Sequence, residues 1–319
     1  MAEMVRNYLV IGAHPDDPDL LFGGCAVKLL KAGHRVKFVS VSSGDCGHYA
    51  MEPAALALRR HREAQESAKV AGLTGYEILD VPDCHVVCTL ELREKLIRVI
   101  RDFGPDVVIS HRLCDYHADH RATAQCVMDC AYLVRVPMYC ADTPIPRKDP
   151  VFAYGYDAFT DPRPIRADAV TEIDSVAETK SRMLDCHRSQ FYEWLPWNMG
   201  LEAPDPDRMS RQERQEDLDR HWGGRDRQAA EPCASVTERG AMKSGGPNCL
   251  NSPLTAHSLP RRNSAPCSRT ENGAPEDGLR PGQGRKPRNR RALSTTETEL
   301  AAMASAPKTG FRMGPSKSA

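Results

Sequence analysis

The 319-residue sequence lacks the features that mark several classes of protein. Its 43 lysines and arginines match its 43 aspartates and glutamates, so the formal net charge is +0. Such a balance does not favour a nucleic-acid or an acidic-membrane partner. No stretch approaches the roughly 18 apolar residues of a membrane span. We therefore expect no nucleic-acid partner and no membrane span, and the sequence gives no indication of the oligomeric state.

Paired cysteines are also lacking. The chain has 12 cysteines, but their spacing is irregular and no CxxC pair occurs. Some fall on apolar faces, such as Cys126 and Cys130, one helical turn apart. We interpret most of the cysteines as buried free thiols of a protein in the reducing cytoplasm, not as a disulfide framework.

The last third of the chain lacks the residues that build a core. After residue 200 there is no isoleucine, one valine and two aromatic residues, among many prolines, glycines, serines and arginines. Such a composition buries too little apolar surface to offset the entropy of ordering. The sequence therefore predicts a domain over residues 1–200 and a low-complexity, disordered tail over residues 201–319. The basic run 285–291 is interpreted as part of this solvated tail.

The first 200 residues alternate between two patterns. Short apolar, β-branched runs predict strands over 8–13, 36–43, 76–81 and 105–111; helical spacing predicts helices over 23–33, 53–72, 89–104 and 119–134. This alternation is typical of an α/β protein, a Rossmann-like three-layer sandwich with a mostly parallel sheet and helices on both faces. Ligands bind beyond the carboxyl ends of the strands in such sheets.

The turn after the first strand, "GAHPDD", lacks the glycine-rich fingerprint of a dinucleotide site and places carboxylates where a pyrophosphate needs bare amides. His14 and Asp17 are three residues apart around a proline, so both can point to one place. A second cluster, "DYHADH", follows the fourth predicted strand and carries His117 and His120 at a helix start. Two histidines and one aspartate form a plausible three-ligand site for Zn²⁺, although such N and O donors also suit other divalent metals.

These two motifs carry a resemblance to a known family. "AHPDD" after a first apolar strand, with "HADHR" later, resembles the LmbE/PIG-L family of zinc-dependent deacetylases of N-acetylglucosamine-type sugars, which have a Rossmann-like fold. "SSGDCG", "RHRE" and "HRSQ" extend the resemblance over roughly residues 6 to 195. The chain departs from the family in two places: Pro18 stands where a Glu is frequent after HPDD, and the second motif reads His-Ala-Asp-His in place of His-Pro-Asp-His.

The resemblance implies specific roles. His14, Asp17 and His120 would be the metal ligands and Asp16 the general base. A protonated His117 would stabilise the oxyanion, with Asp119 holding it charged and oriented. The proton for the leaving amine would come from Asp16 or from His117. Candidate substrate-binding residues are Arg60 and Asp83, by family position, and Asp115, for which orientation of a metal ligand is the alternative role.

The resemblance further implies a hydrolase that removes an N-acetyl group from a small-molecule amino sugar or conjugate, by metal-activated water. The alternative is a non-catalytic metal-binding or structural protein of the same fold. Two features outside the motifs stay open. His48 and Tyr49 follow the second strand and are candidates to line the pocket. The aromatic segment "FYEWLPW" (191–197) is expected to pack as the last element of the domain, with a wall of the sugar site as the alternative.

Overall fold

A computed structural model describes residues 5–222, apart from residues 166 and 168. Five strands form one sheet: β1 (Asn7–Gly12), β2 (Arg35–Ser42), β3 (Gly75–Val81), β4 (Val107–Ser110) and β5 (Val151–Tyr154). Their order is β3-β2-β1-β4-β5, and every neighbouring pair is parallel. The predicted α/β fold with a parallel sheet is confirmed, and β5 is an addition that the sequence patterns did not predict.

Helices connect and cover the strands. They are α1 (Asp17–Lys31), α2 (Pro53–Ala71), α3 (Leu90–Phe103), α4 (Ala118–Leu133), α5 (Ala177–Cys186), α6 (Leu195–Asn198) and α7 (Arg211–His221). A 3₁₀ turn (Asp174–Val176) precedes α5, and a π-helical turn (Ser189–Trp194) precedes α6. Helix α1 begins at Asp17, well before the predicted start at residue 23, because Pro18 fits the first turn of a helix, where its missing amide hydrogen bond costs nothing.

The side chains of β1 alternate between the two faces of the sheet. Leu9 and Ile11 pack into one core with α3 and α4, whereas Val10 packs into a second core with α1, α2 and α5. Burial on both faces explains why β1, β2 and β4 appear in the sequence as nearly continuous apolar runs. The two cores make the three layers that the sequence predicted.

Helix α7 lies beyond the predicted boundary at residue 200. Its Leu218 is buried in a small cluster with Leu184, Phe191 and Tyr192, and its start carries a capping box between Ser210 and Glu213. The folded part of the chain therefore includes this helix. The rest of the predicted tail, residues 223–319, lies outside the described residues.

The cysteines of the described part are all free, but the expectation that most are buried is wrong. Only Cys126, Cys130 and Cys140 are buried, in the core under α3 and α4. Three others are partly exposed, two of them in helices: Cys25 in α1, Cys186 in α5 and Cys88. Three in loops are exposed: Cys46, Cys84 and Cys114. No helix among the described residues is both long and apolar enough to cross a membrane.

Candidate active site

Two turns meet at the carboxyl edge of the sheet. Strands β1 and β4 are neighbours, with Ile11 opposite Ser110, so the turns that follow them open side by side. At this point the chain direction across the sheet reverses: β2 and β3 lie on one side of β1, and β4 and β5 on the other. Such a switch point is where parallel α/β sheets bind their ligands.

Three buried side chains from these turns converge. His14 Nδ1 lies 3.1 Å from Asp17 Oδ2, and His120 Nε2 lies 3.4 Å from Asp17 Oδ1. One donor atom from each residue lies within 4.8 Å of the other two. The structure thus brings together the three residues that the family resemblance implies as metal ligands.

The spacing of these atoms fits a divalent ion. Metal–nitrogen and metal–oxygen distances of about 2.0–2.1 Å in a tetrahedral site place neighbouring donor atoms about 3.3 Å apart. The separations of 3.1 and 3.4 Å, one to each carboxylate oxygen of Asp17, are close to that value. Two overlapping groups also have ligand chemistry: His14, His117 and Asp119, and His111, Asp115 and His120. All of them are N and O donors, which suit zinc and other divalent metals.

The charges of the three converging residues support one another. Burial lowers the pKa of His14, but Asp17 and two further carboxylates more than offset this and hold it well above its ordinary value. Burial likewise lowers the pKa of His120, and Asp17 and Asp115 raise it to about 9. Burial raises the pKa of Asp17, but the surrounding histidines, His120 first, hold it well below its usual range. This concentration of opposite charge is typical of a functional site.

His111 belongs to the same cluster and was not predicted. Its Nε2 lies 3.2 Å from Asp17 Oδ2, and its ring stacks on His120 at 4.0 Å between centroids, with an angle of 8°. The backbone amide of Ala13 donates to the same Nε2 at 3.0 Å. Burial and the neighbouring His120 lower its pKa. The sequence signal that could have identified His111 is its position at the end of the fourth apolar run, directly after β4 at the carboxyl edge of the sheet.

Asp115 orients His120. Its Oδ1 lies 3.1 Å from His120 Nδ1 and accepts the amide hydrogen of His117 at 2.8 Å. A carboxylate behind a ligating histidine fixes the ring and its tautomer. Of the two roles considered for Asp115, substrate contact or ligand orientation, these contacts favour the second, and the role stays a prediction.

Asp119 has other partners than the one expected from the motif. Its Oδ2 accepts the amide of Cys84 at 2.7 Å and lies 3.5 Å from His14 Nε2. It is the backbone amide of Asp119 that contacts His117, donating to Nδ1 at 3.2 Å. Burial, with His14 and His120 next in effect, lowers the pKa of His117. The Asp119 carboxylate raises the pKa of His117, as expected, but burial, His14 and His120 outweigh it, so the net shift is downward and favours a neutral ring.

Arg60 and Asp83 were expected to contact substrate, but both are engaged within the protein. Arg60 is 2% exposed; its Nη2 donates to Asp16 Oδ1 at 2.7 Å, and its Nη1 donates to the Gly44 carbonyl at 3.2 Å. Asp83 Oδ1 lies 3.1 Å from His14 Nε2, and its Oδ2 lies 3.8 Å from Arg60 Nη1. Burial raises the pKa of Asp83, but His14 and Arg60 hold it well below its usual range. These contacts link Asp16 to His14 through Arg60 and Asp83.

A second layer of polar groups supports the first turn from behind. Asp19, fully buried, accepts from the Ser67 hydroxyl and lies 3.2 Å from His187 Nε2. The Tyr76 hydroxyl contacts both the Pro15 carbonyl and Asp19 Oδ2, the latter at 3.0 Å. At position 18 the family often has a Glu, whose carboxylate Pro18 lacks. The next residue, Asp19, provides a buried carboxylate behind the first turn.

Known proteins share both the motifs and the fold of this chain. Residues 9–131 match the family model described as PIG-L, GlcNAc-PI de-N-acetylase. The matched residues include both motifs, so the resemblance to this family that the motifs predicted is confirmed. The chain is 28% identical to the diacetylchitobiose deacetylase of Thermococcus kodakarensis over an alignment of 200 residues. This alignment covers 60% of this chain and 74% of that protein.

Solved structures share the fold. The N,N'-diacetylchitobiose deacetylase from Pyrococcus horikoshii aligns with a TM-score of 0.58 and 22% identity, over 72% of this chain and 79% of that one. The 4-carboxy-2-hydroxymuconate hydratase from Pseudomonas putida KT2440 aligns with a TM-score of 0.57 and 20% identity, over 76% and 92%. A deacetylase and a hydratase thus share this architecture, so function has to be argued from the site.

Proposed function

We propose that the chain is a divalent-metal-dependent deacetylase that hydrolyses the acetamide of an N-acetylglucosamine-type sugar or conjugate. The observation that carries the proposal is the convergence of His14, Asp17 and His120 beside Asp16, a buried carboxylate held by Arg60 and outside that donor set. The family match and the deacetylase relative support the substrate class. The many free cysteines support a reducing, cytoplasmic location.

In this proposal His14, Asp17 and His120 hold Zn²⁺ or another divalent ion. When bound, the ion supplies Lewis-acid chemistry, polarising the acetamide carbonyl and lowering the pKa of water toward about 7. Asp16 acts as general base and takes the proton from the attacking water. Arg60 holds the Asp16 carboxylate in position for this task, because its buried guanidinium donates to Asp16 Oδ1 at 2.7 Å.

His117 serves as a neutral hydrogen-bond donor to the developing oxyanion. The Asp119 amide donates to Nδ1, so the proton of the neutral ring is on Nε2 and this N–H is available to the substrate oxygen. A neutral His117 is a poor acid. The proton that Asp16 has taken from water therefore passes to the leaving nitrogen as the C–N bond breaks, giving acetate and the free amine.

The test measures acetate release from a panel of N-acetylglucosaminides by the full chain, after chelation and after adding back zinc or another divalent metal. We expect release to require metal. The Asp16→Asn variant should keep its metal and lose about 10²–10⁴-fold in kcat, as for other general bases. Asp80→Asn changes an exposed carboxylate at the end of β3 and is the matched control, expected to have unchanged kinetics.

Two outcomes would contradict the proposal. Metal bound at the site without acetate release from any N-acetylated sugar would favour the alternative, a non-catalytic metal-binding or structural protein. Full activity of Asp16→Asn would remove Asp16 from the chemistry.

A further inference from the structure

Two aromatic side chains border the candidate site on the side of β4 and β5. Tyr116 lies in the turn after β4, and its ring centroid is 6.1 Å from that of His117 and 5.6 Å from that of His120. The same ring contacts Phe159, from the chain after β5, at 6.4 Å between centroids. We call Tyr116 and Phe159 the aromatic wall.

The Tyr116 ring is open to solvent although it borders a buried polar cluster. The residue is 59% exposed. The ring planes of His117, His120 and Phe159 are inclined to it by 82°, 70° and 60°, so none of these three rings lies flat on it. A large ring at the edge of a polar site, with half of its surface uncovered, offers apolar contact area to a ligand.

The Phe159 half of the wall is fixed to the β4 turn. Arg112, in that turn, is 8% exposed, and its guanidinium donates to the carbonyl oxygens of Phe159 and Arg163, the latter at 3.0 Å. The Asp157 carboxylate accepts the amide hydrogen of Phe159 at 2.7 Å. These charge-assisted hydrogen bonds hold the chain after β5 against the β4 turn, so the two rings keep their relative position without a ligand.

The candidate base is held from the opposite side of β1. Arg60, from the helix after β2, donates to Asp16 Oδ1, and it also donates to the Gly44 carbonyl in the turn after β2. In the order of the sheet, β2 and β4 flank β1 on opposite sides. Asp16 is therefore held from the β2 side, and the aromatic wall lies on the β4 side.

This arrangement gives the substrate a direction. In the proposed mechanism Asp16 protonates the leaving nitrogen, so the nitrogen and its sugar lie toward the β2 side. The four groups on the tetrahedral carbon diverge, and the two oxygens face His117 and Asp16. The remaining group, the alkyl part of the acyl substituent, then points away from the sugar, toward the aromatic wall. An acetyl group has only a methyl there, whereas a longer chain would reach the two rings.

We infer that the aromatic wall binds the acyl group of the substrate, and that the protein also hydrolyses amino sugars whose N-acyl group is longer than acetyl. The inference rests on the proposed deacetylase function and extends it to a further class of substrate. Water adds to the acyl carbon and the C–N bond breaks. The products are a short-chain carboxylate and the free amine, which receives the proton that Asp16 took from water. Tyr116 is then a specificity-determining residue for the acyl group.

The experiment measures release of glucosamine from its N-acetyl, N-butyryl and N-hexanoyl derivatives by the metal-loaded full chain. A methylene fully removed from water gains about fourfold in affinity, and on a half-open wall we expect about twofold. The value of kcat/KM for the hexanoyl sugar should therefore exceed that for the acetyl sugar about tenfold. In Tyr116→Ala this ratio should fall to about one, whereas Tyr116→Phe, which keeps the ring, should retain it.

Two exposed tyrosines provide matched controls. Tyr49, in the loop after β2, is 48% exposed and lies on the side assigned to the sugar. Tyr132, near the end of α4, is 84% exposed. Both Tyr49→Ala and Tyr132→Ala should leave the ratio of the two kcat/KM values as in the wild type. A fall of the ratio in Tyr49→Ala would place the acyl group on the β2 side and contradict the inference.

Binding without turnover separates the two proposals. Calorimetric titration of metal-loaded Asp16→Asn with the hexanoyl and acetyl sugars should show tighter binding of the hexanoyl sugar. That result, with no hydrolysis of any sugar by the wild type, would support the wall and contradict the deacetylase function. Hydrolysis of the acetyl sugar with no gain for longer acyl groups, or equal losses on all three sugars in Tyr116→Ala, would contradict the wall and leave the function intact. Equal binding of both sugars with no hydrolysis would contradict both.

Discussion

The two turns that meet at the candidate site are held in place in different ways. The β1 turn depends on distant elements: Arg60 from α2 holds Asp16, and Tyr76 from β3 contacts the Pro15 carbonyl. The β4 turn has distant partners too, such as the Cys84 amide on Asp119, but its His120 ring is held from within the turn, since Asp115 binds both the amide of His117 and the ring of His120. The carboxylate of the first turn is therefore held by an ion pair from another element, whereas the histidine of the second is held by its own turn.

The largest expected effect tests what the two turns share. Asp17 contacts His14, His111 and His120, so Asp17→Asn should abolish tight metal binding, and His120→Ala should do the same from the other turn. The metal content, measured by elemental analysis of purified protein, should fall from about one divalent ion per chain in the wild type toward zero in both variants. His61→Ala, an exposed histidine of α2, is the control and should keep the metal. Retention of metal in Asp17→Asn would place the site elsewhere.

The next effect tests how the turns differ. Arg60→Met leaves Asp16 buried without its partner and should lower the free energy of unfolding by about 3–5 kcal/mol. Arg121→Met removes a partly exposed donor to the Asp115 carbonyl and should cost at most about 1 kcal/mol. Denaturant unfolding of both metal-free variants gives the comparison. Equal losses of unfolding free energy in the two variants would mean that the arginine contact is equally important to both turns.

A smaller effect follows from the histidine charges in metal-free protein. The pKa of His120 is raised from 6.5 to about 9 in the folded state. The stabilisation from its charged form is therefore fully present below about pH 6.5 and is lost as the pH rises through about 9, by at most about 3 kcal/mol. The melting temperature of chelated protein should fall over this range. The His120→Gln variant should show a flatter profile, and an equally steep one would assign the effect to another group.

The smallest effect concerns the domain boundary. Removing residues 223–319, whose composition predicts no core, should change the free energy of unfolding by less than about 0.5 kcal/mol. The deacetylase activity should stay unchanged. Ending the chain at residue 200 also removes α7 and its buried Leu218, and should cost about 2–5 kcal/mol. The boundary proposed here is therefore after Trp222. Equal stability of the two truncations would restore the boundary at 200.

The sequence was informative where function depends on short motifs and less so where it depends on packing. The apolar runs predicted four of the five strands, because buried parallel strands leave a continuous pattern. His14, Asp17 and His120 could be proposed as ligands because each lies within a short motif at a strand end that resembles a known family, and the structure brings them together. Strand β5 escaped notice because its residues are only partly buried, so that no clear apolar run marks it.

Long-range partners could not be predicted in the same way. Arg60 lies in "RRHRE", charged on all sides, and nothing local shows that this arginine turns inward to Asp16. The Asp119 carboxylate was expected to orient its near neighbour His117, but it accepts a hydrogen bond from the Cys84 amide in the loop after β3. Such pairings are set by how helices and loops pack on the sheet, which a single sequence does not record.

The adjacency of β1 and β4 has a consequence for biogenesis. His14 and Asp17 leave the ribosome early, whereas His120 comes only after two further strand–helix units have been made. Until β4 docks beside β1, the nascent chain has only part of the donor set, so capture of an ion by the proposed enzyme reports that the centre of the sheet is complete. The ion then stabilises only the finished fold, since ligands bound to the native state alone shift the folding equilibrium toward it. Metal supply and folding yield should therefore rise and fall together.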